Sequence, residues 1–214
     1  MSTAHDFILF DLDGTLSDPL QGIGRSLNYA LAHFGYPERE LADLAPCIGP
    51  PLDQSLAQLT GTTSTEHIGE LVAKYRERYG DIGYAENVVY DGIPQALAQL
   101  HASGIPLAVC TSKRADFAER ILDLFGLREY FRFVSGGDVG IHKWQQIAGL
   151  VAQGTVTSAS LMVGDRDVDI DAGQRNGLSA AGVLWGFGSH AELSAGQPRY
   201  LFKQPDELCP SLLA

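Results

Sequence analysis

Two aspartates separated by one residue, Asp11 and Asp13, follow directly on the apolar run 7–10. In extended backbone alternate side chains point to one side, so an Asp-x-Asp step presents two carboxylates together. One can attack an electrophile while the other moves protons. Gly14 then lets the chain turn sharply and lets main chain approach a ligand. A bare Asp-x-Asp is an ordinary solvated turn. Here the apolar run, Asp11-Leu12-Asp13-Gly14-Thr15 and Asp18 occur together, without the further oxygen ligands and closing Glu of a calcium loop.

Three more constellations occur at the ends of apolar runs. Leu161-Met162-Val163-Gly164-Asp165 leads into Asp167 and Asp169. Carboxylates there complete an oxygen site for a hard cation such as Mg²⁺, which takes one or two carboxylates and keeps waters and substrate oxygens. Asp167 and Asp169 also suit a helix N-terminus with no ligand at all; that bland reading is weak for Asp165, at the strand tip. Thr111 and Ser112 follow Val109-Cys110, where a hydroxyl and successive N–H groups entering a helix form an anion site, although both are ordinary helix caps. Lys143 precedes a helical stretch; a single Lys is more often a surface residue. His142 beside it reads as a spectator, because the Asp pair already supplies the proton transfers.

These residues need a scaffold, and the apolar pattern supplies one. The runs 7–10, 105–110, 160–164 and 180–185, with a weaker one at 131–135, are strand-length and nearly continuous. That pattern suits strands buried on both faces of a parallel sheet. Helical stretches at 93–103, 114–125, 144–152 and 169–176 lie between them, and Gly104, Gly126 and Gly177 follow three of them as stops. Strand alternating with helix predicts a doubly wound parallel α/β core. Residues 17–87 break the rhythm, with helical patterns at 22–34, 51–59 and 64–79 and a Gly/Pro turn at 47–51. The expected organisation is a core of 1–16 and 88–214 with a helical insert at 17–87.

Of the 214 residues, 45% are apolar, enough for a sizeable core, and the formal charge of −11 disfavours nucleic-acid polymers as partners. Cys47, Cys110 and Cys209 form no CxxC pair, and Cys110 lies in an apolar run as a small core residue. The stretch 1–6 is too short and polar for a secretory signal, and no run approaches the ~20 apolar residues of a membrane span. A soluble cytoplasmic protein is expected, with no membrane partner.

Taken in order, the four constellations resemble the motifs of the haloacid dehalogenase superfamily of phosphatases: Asp-x-Asp, a strand-end Ser/Thr, a Lys, and Gly-Asp followed by another Asp. The resemblance spans essentially the whole chain. Within it the sequence is most similar to the phosphoglycolate phosphatase-like group, including bacterial members described as 5′-nucleotidases, through Ile48-Gly49-Pro50-Pro51-Leu52, residues 86–93, Thr111-Ser112-Lys113 and Gly164-Asp165-Arg166. It departs in placing Trp144 where many relatives carry Pro, and in a short 136–142 stretch. The resemblance implies a Rossmann-like core with an α-helical cap, and a Mg²⁺-dependent phosphomonoesterase acting on a small phosphorylated metabolite. It implies Asp11 as nucleophile and Asp13 as acid/base. Thr111, Ser112 and Lys143 would hold phosphate. Metal would be ligated by the Asp11 carboxylate, the Asp13 carbonyl and Asp165, with Asp169 acting through water or from behind the direct ligands. Arg25, Gly49 and Gln54 are the cap positions expected to face the site.

Two other readings stand beside this one. A sugar phosphomutase of the same fold would return the phosphoryl group to a sugar. A phosphate-binding regulatory module would carry a relic site, against which the intact set Asp11, Asp13, Lys143 and Asp165 argues. A dehalogenase is disfavoured, since Asp13 and Gly14-Thr15 suit phosphoryl chemistry.

Overall fold

The computed structural model describes residues 5–213. Residues 1–4 of the N-terminal stretch, and residue 214, lie outside them. The chain runs β1 (Ile8–Phe10), β2 (Ser17–Asp18), α1 (Leu20–His33), α2 (Leu52–Thr60), α3 (Thr65–Asp81), β3 (Val88–Val89), α4 (Ile93–Ala102), β4 (Leu107–Thr111) and α5 (Ala115–Leu124). It continues with β5 (Phe131–Gly136), α6 (Lys143–Ala152), β6 (Leu161–Gly164), α7 (Asp167–Arg175), β7 (Ser179–Val183), α8 (His190–Ala195), β8 (Tyr200–Phe202) and α9 (Leu208–Leu212).

Six strands form one sheet in the order β5-β4-β1-β6-β7-β8, and every adjacent pair is parallel. Side chains alternate across it, as strand geometry requires. Ile8 and Phe10 pack with Leu107, Val109 and Val163 against α4, α5 and α9. Phe7 and Leu9 pack with Ala108, Cys110 and Met162 against Ile147 of α6 and Ala172 of α7. Because both faces are covered, the strands carry the near-continuous apolar runs seen in the sequence. The chain leaves β1 toward β4 on one side and returns through β6 on the other. This makes β1 the switch point, the place where open α/β sheets leave a crevice beyond the strand ends.

Between β2 and β3 the chain forms three α-helices and two 3₁₀ turns, at Leu41–Cys47 and Gly83–Ala85. Ile23, Leu27 and Ala30 recur at helical spacing and give α1 one buried face. That face meets Leu71, Val72, Tyr75 and Tyr79 of α3 in a separate apolar cluster, which also takes in Leu56 of α2. The helical periods at 22–34, 51–59 and 64–79 correspond to these elements. Phe117 of α5 joins the same cluster, so the sheet layer contributes a wall to it.

Several features depart from the sequence reading, the short helices α8 and α9 among them. β2 and β3 pair antiparallel, Ser17 opposite Val89 and Asp18 opposite Val88; two-residue strands carry no periodic signal. β8 is an edge strand whose Tyr200 and Leu201 are only partly buried, so no continuous apolar run marks it. Helix α7 begins at Asp167 rather than 169, because both carboxylates fall within its first turn and favour its N-terminus.

Leu27 is wholly buried in the α1–α3 cluster, whereas Leu124 of α5 is half exposed. Leu27→Ala is expected to lower stability by about 2–5 kcal/mol in urea unfolding. Leu124→Ala should stay within about 0.5 kcal/mol of the parent.

Candidate active site

The C-terminal ends of β1, β4 and β6 converge on one crevice. Main chain at Asp11 is fixed by its N–H to the Val163 carbonyl, 2.9 Å, which ties the end of β1 to β6. The Asp11 carboxylate accepts the Leu12 N–H at 2.7 Å through Oδ1 and the Lys143 ammonium at 2.8 Å through Oδ2. Lys143, the first residue of α6, also pairs with Asp169 of α7. Asp169 is held from behind by the Arg166 N–H, 3.0 Å. Asp165, at the tip of β6, accepts the Phe187 N–H at 2.8 Å and the Thr15 hydroxyl at 3.2 Å. Asp11, Lys143, Asp165 and Asp169 are all buried.

Two glycines make this closeness possible. Gly14 adopts φ +82°, and a Cβ there would lie 2.2 Å from Asp165 Oδ2. At Gly164 a Cβ would fall 2.1 Å from the Asp169 carboxyl carbon. Neither position tolerates a side chain without moving a carboxylate.

The electrostatics of the cluster follow from burial. Three carboxylates, Asp11, Asp165 and Asp169, bring an oxygen each within 4.8 Å of one another. A single ammonium stands among them. Burial, reinforced by Asp169 and Asp11, pushes the Asp165 carboxyl well above the usual range. Burial pushes Asp169 up to about 6, against the pull of Lys143. Burial alone would depress Lys143, but Asp11 and Asp169 outweigh it and raise its proton affinity. Excess negative charge in a dry crevice calls for a cation, and an all-oxygen donor set suits a hard divalent one. The residues present therefore fit a divalent metal.

Asp13 lines the pocket in front of Asp11. Its Oδ2 receives the Lys113 ammonium at 2.8 Å, and its Oδ1 is buried without a partner. Burial raises the Asp13 carboxyl, with Lys113 pulling the other way. A carboxyl whose proton affinity burial raises, with one oxygen free, is suited to giving a proton to an incoming group. Lys113 also donates to the Tyr79 hydroxyl at 2.7 Å, so it reaches from the sheet to α3. Sequence reasoning quoted Lys113 inside a motif without a role; its one legible signal is its place just after Thr111 and Ser112.

Thr111 is the last residue of β4 and is buried, with its Oγ1 accepting the Lys113 N–H at 3.3 Å. Ser112 and Thr111 line the same pocket as Asp11 and Asp13. His142 precedes α6, where its N–H bonds the Gln145 side chain at 2.8 Å, and it is exposed. Trp144 turns outward, with the Arg175 guanidinium 5.9 Å from its ring.

The three expected insert positions separate. Gly49 lines the pocket. Arg25 does not: its guanidinium is taken by Glu86 at 2.6 Å, which also pairs with Arg78 at 2.8 Å, and that salt bridge ties α1 to α3 and to the segment leading into β3. Gln54 lies on the exposed face of α2 and does not line the pocket either. Helical period alone did not distinguish the inner from the outer face of these helices. The insert residues that do line the pocket include Leu52, Tyr75, Arg76 and Tyr79, with Arg114 of the sheet layer opposite. Arg76 pairs with Asp138 at 2.6 Å across the opening.

Fold and site together define an α/β enzyme with a buried carboxylate centre. The chain belongs to the haloacid dehalogenase-like hydrolase family, which residues 8–183 match. It is 43% identical to a 5′-nucleotidase of Pseudomonas aeruginosa over 90% of this chain and 89% of that one. It is 37% identical to the tyrosine-protein kinase PtkA of Mycobacterium tuberculosis over 85% of this chain, but spans only 62% of that protein. Identity to a phosphoglycolate phosphatase of Yersinia pestis is 31% over 96% of this chain and 92% of that one. Among solved structures, a predicted phosphatase from Clostridium acetobutylicum superposes with a TM-score of 0.92 at 34% identity, covering 98% of both chains.

A divalent cation competes with protons for Asp165 and Asp169, whose proton affinity burial raises. Both carboxyls have raised affinity for protons, so they are charged only as pH rises, for Asp169 through about 6. Saturating Mg²⁺ is expected to raise Tm by several degrees (about 2–3 kcal/mol) near pH 8, and by much less near pH 5. Differential scanning fluorimetry checks this, and Asp165→Asn should remove most of the effect. An equal rise at both pH values would assign the metal to other groups.

Proposed function

We propose that the chain is a Mg²⁺-dependent phosphomonoesterase working through an aspartyl-phosphate on a small phosphorylated metabolite. The observation that supports this best is the pair Asp11 and Asp13: one carboxylate at the centre of the buried Lys143–Asp169–Asp165 cluster, the other facing the pocket with a free oxygen. Phosphate esters resist anionic nucleophiles because their own oxygens are charged. Bound Mg²⁺ would neutralise that charge, held by the Asp11 and Asp165 carboxylates and the Asp13 carbonyl, with Asp169 behind.

Lys143 holds Asp11 through one oxygen and adds positive charge where the phosphoryl group would sit. Asp11 attacks phosphorus, forming an O–P bond as the ester P–O bond breaks. Asp13 gives its proton to the departing alkoxide. Water then attacks the aspartyl-phosphate. Asp13 takes the proton back, releasing phosphate and restoring Asp11. Thr111, Ser112 and loop N–H groups hold the phosphoryl oxygens during both steps. The helical insert acts as a cap that excludes bulk water while the acyl-phosphate exists.

For the substrate, we infer phosphoglycolate or a nucleoside 5′-monophosphate, in keeping with the names of two relatives. The relative named a kinase favours a second reading, in which the phosphoryl group passes to a hydroxyl acceptor other than water. Inorganic phosphate released one-for-one with substrate consumed decides for hydrolysis; a deficit matched by a new ester decides for transfer.

Asp11→Asn keeps volume and removes the nucleophile, so turnover of an aryl phosphate should vanish with the circular dichroism spectrum unchanged. Asp13→Asn should cost a factor on the order of 10²–10⁴. The loss should be smaller in the first step for esters with good leaving groups, as single-turnover kinetics will show.

Selectivity is expected from the pocket wall and not from Arg25. Arg76→Ala should change relative kcat/KM across a panel of phosphate esters by about tenfold to a hundredfold. Arg25→Ala should leave the ranking of substrates intact. A changed ranking in Arg25→Ala, with none in Arg76→Ala, would return the reading role to α1.

A further inference from the structure

Arg166 stands between two of the site's carboxylates in sequence, yet its side chain leaves the site. Its main-chain N–H holds the Asp169 carboxylate at 3.0 Å. Its guanidinium runs the other way, toward the helical insert. Nε pairs with Glu192 of α8 at 2.8 Å, and Nη1 donates to the carbonyl oxygen of Ile48. Glu192 also accepts the Asp167 N–H at 3.1 Å, so the guanidinium is braced on a side chain that is itself anchored to α7.

The far end of this bridge is well placed. Ile48 is buried in the insert's apolar cluster, and the neighbouring Cys47, Gly49 and Pro50 line the pocket. Gly49 adopts φ +103°, and a Cβ there would lie 2.8 Å from Arg166 Cγ. The 47–51 turn thus rests directly on the aliphatic stem of Arg166 while its carbonyl is held by the head group. A charged donor on a main-chain carbonyl, with no room for a side chain between, fixes a turn in one place. Arg166 itself is not among the residues lining the pocket.

We propose that Arg166 is a positioning residue: it seats the 47–51 turn over the pocket and thereby sets which leaving groups the pocket admits, without touching substrate. The seating stands on contacts alone, and only the effect on leaving groups rests on the phosphatase reading. The same bridge joins the Asp165–Asp169 segment to the insert, so the groups that hold the reacting end and the turn that borders the leaving group share one anchor.

Cys47 reports on the turn directly. It is half-buried in the turn, while Cys110 and Cys209 are buried in the core, so a small alkylating reagent will read Cys47. Arg166→Met is expected to speed Cys47 alkylation on the order of tenfold or more, as loss of a charged hydrogen bond lets the turn open. The sign is informative. Burial pushes the Cys47 thiol up, with Ser55 and the Arg166 charge pulling the other way, so loss of that charge alone would slow the reaction. Arg166→Lys, which keeps a donor, and Glu192→Gln, which only loosens the brace, should fall between parent and Arg166→Met. In the Mg²⁺-loaded enzyme, Arg166→Met should raise KM about tenfold for a nucleoside monophosphate, and change it less for a small alkyl phosphate, with kcat affected less than KM.

A Cys47 rate in Arg166→Met equal to or below that of the parent overturns the proposal. So does a fall in kcat shared equally by all substrates with KM unchanged, which would mark Arg166 as part of the reacting centre. If Arg166→Met fails to fold, the Cys47 rates in Arg166→Lys and Glu192→Gln decide the matter. A parent enzyme without turnover on any ester would sink the phosphatase reading, and the Cys47 rates would then judge the seating of the turn by themselves.

Discussion

The ammonium of Lys143 lies buried between the carboxylates of Asp11 and Asp169, and the rest of the site is arranged around that contact. Burying ions is costly, and a buried pair is tolerable only when its remaining lone pairs and protons are satisfied. The chain meets that demand with main-chain N–H groups: Leu12 on Asp11, Arg166 on Asp169 and Phe187 on Asp165. Leu12 and Arg166 stand at a strand end and a helix start, where main-chain groups have no partner within their own element, and Phe187 lies in the loop between β7 and α8. The segments leaving the strands therefore do more than carry these residues; their main chain supplies the hydrogen bonds that let charge sit in a dry place.

That same demand explains the layering. β1 is central, flanked by β4 and β6, so the residues beyond its end meet those of both neighbours. Helices α6 and α7 lie on one face and deliver Lys143 and Asp169 from their first turns. The insert covers the opening, held by its own apolar cluster, by Phe117 and by a few polar contacts that cross to the sheet layer. These crossing contacts use Lys113, Asp138 and Arg166 from loops at the strand ends, and Arg120 of α5, which donates to the Gly80 carbonyl. Shape comes from apolar burial, while registry between insert and sheet comes from ions.

The sheet and the motif residues were legible in the sequence because each depends on a local signal. A strand buried on both faces must be a continuous apolar run, and Asp11, Thr111 and Asp165 fall at the ends of such runs. Lys143 was legible only in company with the others, since a lone Lys before a helix has no distinguishing surroundings. Arg25 and Gln54 were misplaced because helical spacing says which residues share a face and not what the face meets. Lys113, Arg76 and Arg166 carry no local signal for the complementary reason. Their importance comes from partners at Tyr79, Asp138 and Ile48, distant in sequence and joined only by the fold. The short pair β2 and β3 and the edge strand β8 are set by neighbours rather than by periodicity.

That antiparallel pair has an evolutionary consequence. Ser17 stands directly opposite Val89, so the chain departs into the helical segment and comes back at adjacent points. A loop whose ends already touch can change length at small entropic cost, about 0.6 kcal/mol per doubling. The helices between those points can be exchanged, trimmed or enlarged while β1 and its carboxylates stay where the sheet puts them. The length of the excursion is thus free to drift, within the limit that Lys113 and Arg166 keep it tied to Asp13 and to the Asp165–Asp169 stretch.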